Sequence, residues 1–115
     1  MTIKAYAKTS LRGNSGFVFT GVQKTGIWEV DVAPAGAKIH GITLNDMDSM
    51  TPRDVQVMGY GPIYIRISET ILANETLTPN NVGGFKKPGA GDAVVGVAIK
   101  GGRMGSSCIG FFYGN

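Results

Sequence analysis

His40 is the single histidine of the chain and Cys108 its single cysteine, and 68 positions separate them. A thiol or hydroxyl nucleophile paired with an imidazole base would have to be assembled by the fold, because such partners meet in space and not in sequence. No other polar pattern accompanies them. His40, set between Ile39 and Gly41, reads as a surface or interface histidine. Cys108 lies in an apolar run and reads as a buried thiol that has no partner for an internal disulfide. One His and one Cys also fall short of a zinc site, which needs a cluster of such ligands at short spacings. Asp46 and Asp48 offer oxygen ligands, yet the glycine and distal glutamate of a calcium loop are missing around them, so they read as a solvated loop. Neither a metal nor a cofactor is expected.

Glycine-rich segments can cradle phosphate through freed backbone N–H groups. The run Gly91-Asp-Ala-Val-Val-Gly96 lacks both the GxGxxG spacing and the Lys-Ser/Thr ending, and the residues after it are strand-like, so these are turn glycines. Tyr60, Tyr64, Phe111, Phe112 and Tyr113 could stack on bases, but few basic residues interleave them and packing is the better account. The net charge is +3, and of the eleven Lys and Arg only Lys86 and Lys87 are adjacent. Without a basic stripe, nucleic acid is not an expected partner. No run approaches the roughly 20 apolar residues of a membrane span, so no membrane partner is expected. The N-terminal segment Met1-Thr-Ile-Lys-Ala-Tyr-Ala-Lys8 lacks the apolar core of a secretory signal, and the chain is expected to stay in the cytoplasm until it meets its partner. An enzyme needs a polar cluster that this inventory barely holds. The expectation is a binding protein, not an enzyme, with no catalytic residue and no small-molecule substrate.

The elements that position these residues read as short strands. Gly supplies 18 of 115 residues against the roughly 7% of an average protein, and it punctuates runs of Ile, Val, Phe and Tyr. Trp28, Val30 and Val32 alternate with Glu29 and Asp31, and Ile63, Ile65 and Ile67 alternate with Tyr64, Arg66 and Ser68, the period of half-buried strands. Val55 and Val57 flank Gln56. Ala93 to Ile99 and Cys108 to Tyr113 are more continuously apolar, as in strands covered on both faces or in a subunit contact. Turns fall at Ala33 to Gly36, Met58 to Pro62, Pro88 to Asp92 and Gly101-Gly102. Asn45 to Asp54 fits either a short helix or a loop. The fold class expected is all-β: a compact single-domain sandwich or barrel of short antiparallel strands. Residues 17–115 form this β domain, and residues 1–16, with glycines at 13 and 16 and few apolar anchors, form a mobile N-terminal arm before a first strand at Phe17 to Gly21. The spacing by four of Lys4, Lys8 and Arg12 is the competing sign of a helical face.

A faint internal repeat appears when the sequence slides against itself by 55 positions. Gly36 then falls on Gly91, Ile39 on Val94, Gly41 on Gly96, Ile42 on Val97 and Leu44 on Ile99. Both copies read as a glycine turn leading into a strand with a central glycine, a place where a strand bulges or another backbone comes close.

From Ile39 to the C-terminus, about two thirds of the chain, the order of motifs resembles a known pattern. A strand Ile39-His-Gly-Ile42 is followed by Val55-Gln-Val57, Ile63 to Ile67, the loop Asn80-Asn-Val-Gly-Gly-Phe85, the strand Val95-Gly-Val-Ala98 and a last apolar strand at Cys108 to Phe112. This is similar to the head decoration, or capsid cement, proteins of tailed bacteriophages. The resemblance implies a virion structural protein on the outer capsid surface, assembled as a homotrimer, that clamps major capsid protein subunits of the expanded head. It also implies an arm that orders on the shell. In this chain that arm would offer Ile3, Tyr6 and Leu11 as apolar contacts and Lys4, Lys8 and Arg12 for acidic groups. Ile109, Phe111 and Phe112 would form the subunit contact. The competing readings are a small β module of a phage tail or fibre and a nucleic-acid-binding β-barrel.

Overall fold

The structure, a computed structural model, describes residues 1–57 and 60–113. Met58 and Gly59, at the start of one expected turn, lie outside the described residues. Among those described there are ten strands and no helix: β1 Thr2–Ala7, β2 Gly16–Lys24, β3 Ile27–Val32, β4 Gly41–Thr43, β5 Arg53–Val57, β6 Tyr60–Arg66, β7 Thr76–Pro79, β8 Phe85–Lys86, β9 Gly96–Lys100 and β10 Ser107–Phe112. The all-β expectation holds.

The first five strands close a barrel in the order β1-β3-β2-β4-β5, with β5 returning to β1. Alternate residues face inward, as the period of a strand requires. Ala5, Ala7, Phe17, Val30 and Val55 fill this interior with Leu11 and Met47 from the connections. All its ladders are antiparallel except β1 with β3, which is parallel, so the expected purely antiparallel arrangement needs that one correction.

The last five strands repeat the first five. Their sheet runs β6-β10-β9-β7-β8, and a parallel bridge from Ile67 to Phe85 joins its two ends, as β1 joins β3 at Ala7 and Val30. The correspondence extends to register. Phe17 pairs with Gly41 and Leu77 with Gly96; Thr43 pairs with Val55 and Ala98 with Gly110; Ile3 pairs with Val55 and Ile63 with Gly110. The loops match as well: the Asn14 amide donates to the Thr43 carbonyl at 2.8 Å and the Asn74 amide to the Ala98 carbonyl at 2.7 Å. Both asparagines are left-handed, at φ 59° and 72°. The offset is 60 residues up to the end of β2 and 55 from Val30 onward. The change falls in the β2–β3 connection, where the first unit has a long hairpin and the second only the loop 80–84. The sequence repeat is therefore the trace of a tandem pair of five-stranded units.

The units lie along a molecule of 42 × 25 × 22 Å and share one apolar cluster. Ala33, Ile39 and Ile42, on the outside of the first barrel, pack with Ile65, Ile67, Leu77, Phe85 and Phe112 of the second unit. Arg66 crosses the junction, donating from Nη1 to the Gly13 carbonyl at 2.9 Å and from Nη2 to Ser15 Oγ at 2.6 Å. The Asn14 side-chain amide donates to the Tyr64 carbonyl at 2.8 Å.

One sequence expectation changes, and one open alternative closes. Residues 1–16 are not a separate arm: Thr2 to Ala7 is a barrel strand with partners on both edges, and Leu11 bridges Met47. Small Ala5 and Ala7 sit at 0% exposure in the barrel interior. Of the two readings of Asn45 to Asp54, the loop is the one found: the segment is irregular up to Pro52, with bridges at Met47 and Ser49, and Arg53 and Asp54 already belong to β5. Buried Met47 and the Gly13 amide, donating to Asp46 Oδ1 at 2.8 Å, anchor it.

Candidate interaction surface

Among the described residues no three His, Cys, Asp or Glu side chains gather as metal ligands would. His40 is exposed, whereas Cys108 is buried on β10. The His40 Nδ1 accepts the Phe19 amide at 2.9 Å and its ring stacks on Phe19, centroids 5.4 Å apart, so it acts as a support for that aromatic. Cys108 is buried in the second unit, and burial raises its thiol pKa, which disfavours the thiolate that nucleophilic chemistry needs.

The surface features are apolar. In the first unit, Thr25-Gly26, at φ 49° and 81°, makes the two-residue turn of the β2–β3 hairpin, a geometry matched to strand twist. The β2 register shifts between Phe19 and Gln23, with Gly21 at φ 88°. A bulge of this kind bends a strand and turns side chains to new directions. Below it, Ile3, Phe19, Gly21 and Trp28 line a concavity of about 310 Å³ at the mouth of the first barrel. Trp28 pairs with Ala5 at the strand's end and stays 43% exposed, although its alternation with Val30 predicts a core residue.

In the second unit, the outer faces of β9 and β10 carry Val97, Ile99, Ile109 and Phe111, with Tyr64 opposite Ile109 on β6. Phe111 and Ile109, two of the three residues assigned to a subunit contact, face outward here. Phe112, the third, is fully buried, its ring 4.7 Å from Phe85, so it supports the face from behind.

The six residues assigned to an arm are divided between interior and surface. On β1, Tyr6 is buried and Ile3 lines the barrel mouth, and in the connection after it Leu11 is buried. Burial and, after it, the neighbouring Glu29 charge raise the Tyr6 pKa. Lys4 pairs with Asp54 at 3.2 Å on the surface. Lys8 and Arg12 are exposed. Burial, then the Arg12 charge, lower the Arg66 pKa, while Asp46 acts in the opposite sense. The hairpin concavity has one signal in the sequence, the turn pair Thr25-Gly26 ahead of Ile27 and Trp28.

Both surfaces lie on a pair of joined β units, and that whole arrangement has a counterpart. The chain shares its fold with a phage head-fibre base. The N-terminal base of head fibre gp8.5 from bacteriophage phi29 superposes with a TM-score of 0.81 at 16% identity, over 97% of this chain and 92% of that one. No protein-family model matches the sequence, and no curated protein does.

Proposed function

We propose that the protein is a structural component of a phage virion that seats on the outer surface of the head, contacts the major capsid protein and stabilises the lattice as a homotrimer. It takes no nucleic acid, membrane or small-molecule partner and catalyses no reaction. The observation that carries this is the match in fold, across nearly the whole of both chains, to a protein whose name places it at the base of a head fibre. That likeness favours a base that anchors on the head, either as cement in its own right or under a fibre. The apolar surfaces and the scarcity of polar clusters suit binding. Several weak contacts borne by one trimer would act at high effective concentration for one another, which raises the overall affinity by about 10²- to 10⁴-fold without any strong single site.

Purified protein mixed with expanded, undecorated heads tests this reading. It is expected to co-sediment with them and to raise the temperature at which they break open. Heads that neither retain the protein nor gain thermal resistance would refute it, and selective binding to the host surface would move the protein to a tail or host-contacting fibre.

A further inference from the structure

The two units provide a comparison within one molecule. In the first, Ile39, Ile42 and Gln56 occupy the outer face of β4 and β5 and its approach, and Ile39 and Ile42 pack into the second unit, Ile39 at 1% exposure and Gln56 at 7%. The equivalent positions of the second unit are Val94, Val97 and Phe111, by the same offset that aligns the ladders. Val94 is 45% exposed and Phe111 38%. This face stays as apolar as its counterpart, and where the counterpart has an amide it has a phenyl ring, yet among the described residues nothing covers Val94 or Phe111 as Ile39 and Gln56 are covered. A large apolar face without cover marks an interaction site.

We propose that a second copy of this chain covers the outer face of the second unit by seating it in the apolar mouth of its first barrel. The occupant is set by the junction already present: the corresponding face of the first unit is covered by a β unit of this same kind. The receiving surface is set by the same correspondence. Ile63 of the second unit packs against the cluster that covers Ile39 and Ile42, and its equivalent is Ile3. In the first unit the matching place is the concavity along Ile3, Phe19 and Trp28. The contact joins unlike patches, so copies add head to tail and close into a ring where the rotation permits. It is a property of the free chain and does not depend on binding to a head.

The mass of the full-length protein, measured by light scattering over a range of concentrations, tests the contact. Assemblies larger than a monomer are expected, and emission from Trp28, the only tryptophan, should move to the blue as they form. Because Trp28 and Val94 are both substantially exposed, Trp28→Glu and Val94→Asp should each leave the monomer's melting transition in place and weaken association by roughly 30-fold or more. Mixed in equal amounts, the two variants should form a one-to-one pair and go no further, since one keeps an intact mouth and the other an intact face. Should a charged variant lower the melting transition, Trp28→Ser and Val94→Ser carry the same comparison. A closed ring of a copy number other than three would keep this contact while removing the trimer. A monomer at every concentration, a Trp28→Glu protein that associates like the wild type, or a mixture that fails to pair would each overturn the proposal.

Discussion

Gly41 and Gly96 show how far single residues carry information about this fold. Each sits in the short strand that comes after a turn glycine at positive φ, Gly36 at 72° and Gly91 at 80°. A Cβ on Gly41 would meet the Gln56 carbonyl and the Phe17 ring, and one on Gly96 would lie 2.5 Å from the Phe111 carbonyl and 2.7 Å from Phe112. The close approach inferred from a glycine inside a strand is therefore real, and it occurs twice because the unit occurs twice. Gly96→Ala should destabilise the protein by about 2 kcal/mol, since the backbone of β10 and a fully buried ring must both shift to admit a methyl group. Gly105→Ala is a useful contrast: the site is spatially open, so its cost comes from its left-handed backbone at φ 82° alone, about 1 kcal/mol. Thermal unfolding of the two variants checks the order, and an equal or larger loss at Gly105 would show that the crowding at Gly96 is relieved cheaply. Tyr6 and Leu11 were not legible in the same way. Tyr6 stands between two alanines and Leu11 between Ser10 and Arg12, and the interior residues nearest to them in sequence, Ala5 and Ala7, are too small to announce a core.

At the scale of elements, the alternating runs were legible and the ends of the chain were not. β3, β5 and β6 lie where period-two patterning puts them, although in β5 the polar member, Gln56, is itself buried. β1 was hidden because its strength comes from partners more than 20 residues away: it is hydrogen-bonded along both edges, to β3 and to β5, and such pairing leaves little mark on local composition. The connection 45–52 carries helix-capping residue types for a related reason, since Asp46 uses its carboxylate to hold the Gly13 turn of a different segment. These pairings make a definite forecast about truncation. Deleting residues 1–15 opens the first barrel, exposes Phe17, Val30 and Val55, and strips the Gly13 and Ser15 acceptors from Arg66. The truncated chain should lose its cooperative thermal transition, as read by circular dichroism. A truncated protein that melts as sharply as the full chain would mean that β1 is dispensable and that the segment behaves as an arm after all.

At the scale of the whole molecule, the tandem architecture was only half legible, because the 55-residue offset holds across one part of each unit and shifts to 60 across the other. A single sliding comparison finds one part at a time, and the buried equivalents Ala5 and Ile65, Ala7 and Ile67, Leu11 and Ile71, Phe17 and Leu77 differ in residue type while matching in position. The junction decides whether the two units behave as one folding body. Their cores are not separate: Ala33, Ile39 and Ile42 complete the apolar cluster of the second unit, whose β6 and β8 ends meet through a single bridge. A unit of about 55 residues is near the lower limit for independent stability, and this one would also expose those contacts if detached. Unfolding should therefore be a single two-state transition. Arg66→Ala removes two charge-assisted hydrogen bonds across the junction and leaves the Gly13 carbonyl and Ser15 hydroxyl to find other partners, a loss of about 2 kcal/mol and roughly 10 °C in melting temperature for a chain of this size. If the shared cluster couples the units, the variant's transition moves down intact; if it splits into two steps, the units are independent bodies joined by little more than the arginine.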